Sequence, residues 1–269
     1  MAYNLAWGSN HPGHLVYLVD LSSSMAKDNK IDDVIDTIAQ VSEYLIGMCE
    51  DRNDIKNRFS ITILGYNSEV IPLFKGSVIE LDKKLEETNG HPLFDKEQEA
   101  KPQWQTYTAM GFRAAAEDIR QWINQQQSNN IQIPAPIVIH ITDGYPYEHE
   151  RDEDAARQDA LKAAEEVKNI SVPDGQTLLF NIHIDKGDGV NLTFPNSRPD
   201  DIRRQFLYDA SSVMTGLFVT RAKGFELPAK DGARFMVSNE KDPHALAKLV
   251  AFGSSMTSLG DSSIELPKL

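Results

Sequence analysis

The stretch His14-Leu15-Val16-Tyr17-Leu18-Val19-Asp20-Leu21-Ser22-Ser23-Ser24 decides the fold. Its apolar part is short, rich in branched and aromatic residues, and lacks polar alternation. Such a run suits a strand buried on both faces, as in parallel sheets covered by helices. It ends in an acid and three serines, so oxygen-bearing side chains emerge at the carboxyl end of the strand, the rim where open α/β sheets bind ligands. A second run, Ile137–Thr142 (IVIHIT), ends the same way, in Thr142-Asp143-Gly144.

Working outward, the pattern alternates. Residues 31–49 carry Ile31, Val34, Ile35, Ile38, Val41, Leu45 and Ile46 at helical spacing. Phe59–Tyr66 and residues 70–74 read as two strands joined by Asn67-Ser68-Glu69, a hairpin that places one antiparallel strand at an edge. Helices are expected over 81–88 and 109–127, separated by a polar, proline-punctuated connection over 91–105. Further helices are expected over Glu153–Lys168, 201–214 and 243–252, with strands at Leu178–Ile184 and 234–237. Residues 187–199 read as a surface loop, 215–232 as an insertion with no clear pattern, and 254–269 as a mobile tail. The expectation is one domain over 12–253: a doubly wound, mostly parallel open sheet with one antiparallel edge strand and helices on both faces.

Forty acidic against 27 basic residues give a net charge of −13. Nucleic-acid backbones are poor partners for such a chain, because binding them needs Lys and Arg to displace counterions. Divalent cations and basic proteins fit better. The single cysteine, Cys49, lies in an apolar helical pattern and reads as a buried small residue. No run approaches a membrane span and the start lacks a leader pattern, so membrane insertion is not expected and a cytoplasmic location is. The sequons at Asn169 and Asn191 then carry no meaning.

The chemistry gathers in three separated pieces: Asp20-x-Ser22-x-Ser24, Thr108-x-x-Gly111 and Thr142-Asp143-Gly144. Hydroxyl and carboxylate oxygens are what a hard cation such as Mg2+ prefers. Together, in this order and context, the pieces resemble a von Willebrand factor A domain with a metal-ion-dependent adhesion site, over roughly residues 15–252. The resemblance implies a Rossmann-like fold and a site formed by Asp20, Ser22, Ser24, Thr108 and Asp143. In it Ser22 and Ser24 are direct ligands of Mg2+ (Mn2+ or Ca2+ in its place), Thr108 is direct or water-mediated, and Asp20 and Asp143 hold bound waters. It also implies a protein partner that supplies an Asp or Glu to the cation. Stand-alone cytosolic bacterial relatives of this kind act beside ATPases, kinases or phosphatases, which makes a signalling or assembly adaptor the expected role. Gln105-Thr106-Tyr107 stands where such domains often carry glycines, so Thr106 competes with Thr108. Asp28 sits at a spacing reminiscent of the neighbouring metal site of integrin-like members, and a surface or capping aspartate is the ordinary alternative.

Other residues read more plainly. His140 alternates with apolar neighbours and suits a packed, hydrogen-bonded histidine. His183 and Asp185 share a side at a strand end, which brings Asp185 toward the rim. Tyr145, Pro146 and Tyr147 follow the metal aspartate, as interface anchors or loop braces. The run 148–154 is acidic and suits a helix start. No enzyme is expected: no Gly-x-Ser-x-Gly elbow, P-loop or paired dinucleotide glycines occur. A Mg2+-dependent phosphoester hydrolase and a metal-independent scaffold remain the alternatives.

Overall fold

Strand β1 (Gly13–Asp20) is buried at every position, and its side chains alternate between two hydrophobic cores. Leu15, Tyr17 and Val19 enter one core, Val16 and Leu18 the other. This is why the run shows no polar alternation. The computed structural model describes residues 3–52, 54–88, 93–96, 99–102, 105–128, 131–149, 151–185 and 189–254. The expected tail from residue 255 onward and part of the expected 91–105 connection lie outside the described residues, whereas Ser254, expected to begin the tail, is buried at the end of a helix.

The other strands of the main sheet are β2 (Phe59–Tyr66), β3 (Val70–Ser77), β4 (Ile137–Thr142), β5 (Leu178–Ile184), β6 (Leu192–Thr193) and β7 (Met236–Glu240). Their spatial order is β6-β7-β5-β4-β1-β2-β3. Parallel pairs join β7, β5, β4, β1 and β2, and β3 turns back antiparallel on β2 as the hairpin pattern implied. The two-residue β6 adds an antiparallel edge at the other end that the loop-like composition of 187–199 concealed.

The α-helices among the described residues are α1 (Lys30–Gly47), α2 (Val78–Thr88), α3 (Thr108–Ser128), α4 (Glu153–Lys168), α5 (Ile202–Ala210), α6 (Gly216–Gly224) and α7 (Pro243–Ser254). Helices α1 and α7 pack over one face, and α3 and α4 over the other. Helix α2 starts at Val78, ahead of its first periodic leucine, because Ser77 and Glu80 form a reciprocal cap: Ser77 N donates to Glu80 Oε2 at 2.7 Å and Glu80 N to Ser77 Oγ at 3.3 Å. Helix α5 stops at Ala210, short of the expected 214. Ser212 leaves the helix to bond β5, its N donating to Leu179 O at 3.0 Å and its Oγ accepting from Leu179 N at 2.9 Å. The unpatterned segment 215–232 contains α6, which buries Phe218 and Ala222, with the Phe218 ring against Phe235 at 5.2 Å.

Chain order reverses between β1 and β4: from β1 the chain goes out to β2 and β3, then crosses through α3 to β4 on the other side. Adjacent strands of a doubly wound sheet diverge at such a switch point and leave a crevice at their carboxyl ends. Asp20 ends β1 and Thr142 ends β4 there. Gly111, one turn into α3, lets that helix press on the sheet: a Cβ there would come within 3.0 Å of the Tyr66 ring and 3.3 Å of Leu18.

Candidate functional site

Three backbone ties hold the loops of the switch point. Leu21 N donates to Tyr66 O at 2.7 Å, Tyr107 N to Asn67 O at 3.0 Å, and Thr106 and Tyr147 exchange a pair of backbone bonds at 2.9 and 3.1 Å. The turn after β1, the loop before α3 and the loop after β4 are thereby locked to one another.

Within them runs a continuous chain of oxygens. The hydroxyls of Ser22 and Ser24 lie 3.0 Å apart, and Ser24 Oγ donates to Asp143 Oδ1 at 2.7 Å. The other Asp143 oxygen accepts from Lys30 Nζ at 2.6 Å, and the carboxylate side chain is fully buried. Asp20 accepts from Ser22 N at 2.7 Å through Oδ1 and from the Thr142 hydroxyl at 2.6 Å through Oδ2. Burial raises the Asp20 carboxyl to about 7, with the neighbouring Asp143 charge adding to the rise and the Thr142 and Ser22 hydrogen bonds opposing it.

These positions suit a hard cation. Octahedral ligands at 2.0–2.1 Å from Mg2+ lie about 2.9 Å from one another along an edge. The separation of 3.0 Å between the serine oxygens is of that size, and Asp143, 2.7 Å from Ser24 Oγ, stands directly behind them. Among the described residues no group of three or more His, Cys, Asp or Glu side chains is placed to hold a metal. A first shell built from hydroxyls is therefore the one this rim offers, and such a shell leaves much of the cation's charge unneutralised.

The structure brings Asp20, Ser22, Ser24 and Asp143 together. Thr108 is less directly tied. Its hydroxyl donates to Thr106 O at 3.4 Å, and it interacts with the Tyr66 hydroxyl, which also meets Thr142. Thr106, the competing threonine, lines the same cleft as Ser24 and Asp143. Asp28 is exposed, in the left-handed region at φ 55°, and lines neither of the two clefts at the rim. Asp185 lines the second of those clefts together with His183 and Asp143. Desolvation lowers the His183 imidazole against the opposing charges of Asp185 and Asp143.

His140 is buried, with Nε2 at 2.7 Å from the Tyr66 hydroxyl and Nδ1 at 2.8 Å from Asn181 Oδ1. Burial holds it down at about 4, so it stays neutral and structural. Tyr145 braces its loop edge-on against Phe206 at 5.9 Å, whereas Tyr147 is 47% exposed. Cys49 is buried, which pushes its thiol up to about 11.

Sequence reasoning missed Lys30. A lysine in the first turn of a helix opposes the helix dipole, and that misfit was the available signal; the compensating partner is Asp143. It also missed a buried relay at the opposite end of the sheet. There His14 sits 2.8 Å from both the Ser60 hydroxyl and Asp118, under the Trp122 ring. The order is that of a hydrolytic triad, but Lys75 bonds the other Asp118 oxygen at 2.7 Å and the histidine is sealed, so the relay ties β1, β3 and α3 together.

No family model matches the chain, and no curated protein sequence does. Solved structures match over nearly its whole length. The pilus adhesin SpaC from Lactobacillus rhamnosus GG superimposes with a TM-score of 0.53 at 14% identity, covering 94% of this chain and 30% of SpaC. The PilB minor pilin of Streptococcus sanguinis gives 0.53 at 12% identity, covering 91% and 61%. Proximal thread matrix protein 1 from the mussel byssus, solved with zinc in its metal-ion-dependent adhesion site, gives 0.50 at 15% identity, covering 94% and 49%. The chain thus spans 30 to 61% of the length of these proteins. What they share with it is the fold: a seven-stranded, mostly parallel sheet wrapped by helices, the Rossmann-like architecture of von Willebrand factor A domains. No described helix is long and apolar enough to cross a membrane.

Proposed function

We propose that the switch-point rim binds a divalent cation, Mg2+ or Mn2+ with Ca2+ as a further candidate, and through it captures an Asp or Glu of a protein partner. The observation that carries this reading is the chain Ser22–Ser24–Asp143, with oxygens 3.0 and 2.7 Å apart where two parallel strands diverge. Ser22 and Ser24 would hold the ion directly, with Thr108 or Thr106 approaching from the start of α3. Asp20 and Asp143, whose oxygens already accept protein hydrogen bonds, would position its outer shell. When bound, the cation supplies a positive charge left with a coordination position for a carboxylate from outside. The protein acts on this reading as a binding module, a cytoplasmic adaptor in an ATPase-, kinase- or phosphatase-linked assembly. The pilus adhesin and minor pilin that share its fold offer cell-surface attachment as another setting for the same chemistry.

Calorimetric titration of Mn2+ and Mg2+ into the wild type and Ser24→Ala tests this. Saturable binding in the wild type, lost in the variant, is expected. Absence of both binding heat and thermal stabilisation in the wild type at millimolar Mn2+ would remove the reading. Metal-dependent turnover of p-nitrophenyl phosphate, abolished in Asp20→Asn, would replace it with hydrolysis.

A further inference from the structure

Two clefts flank the rim, one dominated by acids and the other holding more bases than acids. The first, about 700 Å³, lies between the loop after β4 and the start of α4; Asp143, Asp152, Glu153 and Asp154 face a single base, Arg203. The second, about 600 Å³, lies between the serine turn, the end of β5 and the start of α5, and is lined by the bases Lys27, Lys30, Arg203 and Arg204 and the acids Asp143, Asp185 and Asp201, beside His183. Both clefts contain Ser24, Asp143 and Gly144, so the candidate cation position is their common floor.

In the second cleft these three acids face four bases, and Asp143 and Asp201 hold partners of their own. Asp143 is bonded to Lys30, and Asp201 caps α5 by accepting from Arg203 N and Arg204 N at 3.1 and 3.0 Å. Arg204 donates to the carbonyl of Val190 at 2.9 Å, a contact that leaves its charge in place. Among the described residues no carboxylate stands within 4.0 Å of the side-chain nitrogens of Lys27, Arg203 or Arg204. A concentration of positive charge is unusual on a chain of net charge −13. Fields that converge in a cleft attract groups of opposite sign and reject like ones.

We infer that the Lys27–Arg203–Arg204 cleft is a docking subsite for acidic residues of the partner's polypeptide, next to the carboxylate that the cation would hold. This rests on the cation-capture reading and adds a direction to it. The partner's segment lays its acidic flank toward Lys27 and α5 and away from Asp152, Glu153 and Asp154. The partner is therefore a segment carrying several Asp or Glu residues, and a lone acid among neutral residues binds more weakly.

The test uses two fluorescein-labelled peptides, one of eight glutamates and one of glycine and serine with a single glutamate, measured by fluorescence anisotropy with Mn2+ and with EDTA. In Mn2+ the wild type is expected to bind the polyglutamate about tenfold more tightly than the roughly eightfold advantage its eight equivalent carboxylates give by number alone, two rim charges contributing a few-fold each to that margin. Lys27→Glu combined with Arg203→Glu, both exposed positions, is expected to remove that margin while retaining the single-glutamate affinity and the circular dichroism of the wild type. A margin that survives the double reversal overturns the inference, as does failure of both peptides to bind. A margin that is lost on reversal but indifferent to EDTA supports the basic subsite and overturns the cation-capture reading.

Discussion

Asp20 should destabilise the metal-free protein, and exchanging its carboxylate for the isosteric amide in Asp20→Asn should show by how much. The carboxyl is fully buried and raised from 3.8 to about 7, chiefly by burial. Its folded-state value lies above the unfolded one, so between those values the native state holds a proton that the unfolded chain releases. Stability therefore falls as pH rises from about 4 through about 7 and is flat beyond. A shift of about three units corresponds to about 4 kcal/mol of lost stability at about pH 8. In Asp20→Asn the hydrogen bonds can be kept: the amide oxygen accepts from Ser22 N, and the amide nitrogen donates to the Thr142 hydroxyl, which already accepts from Gly144 N at 3.0 Å. Urea unfolding in EDTA, followed by circular dichroism, should then find Asp20→Asn about 2–4 kcal/mol more stable than wild type at about pH 8, and equal to it at about pH 4. Adding Mn2+ should stabilise the wild type and leave the variant unmoved. A variant less stable than wild type at high pH without metal would show that this carboxylate is not held at a cost, and the reasoning would fail.

Two more outcomes follow from the same contacts. Asp118 is held down at about 2: burial alone would raise it, and the hydrogen bonds and charges of His14 and Lys75 outweigh that. With the folded value below the unfolded one, its contribution is present above about pH 4 and fades toward pH 2. Because Lys75 is exposed, Asp118→Asn should cost only about 1–2 kcal/mol near pH 6, shrinking with acid in urea titrations, and a loss independent of pH would refute the ion-pair account. Lys30→Met should tighten Mn2+ binding, since the ammonium touches the same carboxylate that borders the candidate ion. A doubly charged ion and an ammonium roughly 6 Å apart repel by about 1.4 kcal/mol even at the dielectric of water, a tenfold effect in a calorimetric titration. Unchanged or weaker affinity would show that Lys30 does not oppose the cation.

How far the chain could be read depended on the range of the forces involved. β1, β2, β4 and β5 were legible because two-sided burial leaves a mostly apolar run with few polar interruptions, and the long helices because their apolar stripe repeats every turn. Helix α6 was not: a nine-residue segment with two buried side chains carries too little pattern, and only Phe235 and its neighbours give it a place to pack. The far end of α5 was misjudged because Ser211 and Ser212 obey bonds to β5, a strand more than twenty residues away. At the site, Asp20, Ser22, Ser24 and Asp143 could be named from strand ends alone, whereas the ranking of Thr106 against Thr108 turns on how the loop before α3 is clamped to Tyr147.

The sequence by itself determined the class of the fold and the acids and hydroxyls at its rim, because burial on both faces and the end of a strand are local properties of residue order. Tertiary structure alone decided that Lys30 pairs with Asp143, and that bases from the serine turn and α5 share one cleft while acids from α4 share the other. Charges separated by more than a hundred positions interact only after folding has set their distance, and no periodicity along the chain encodes that distance.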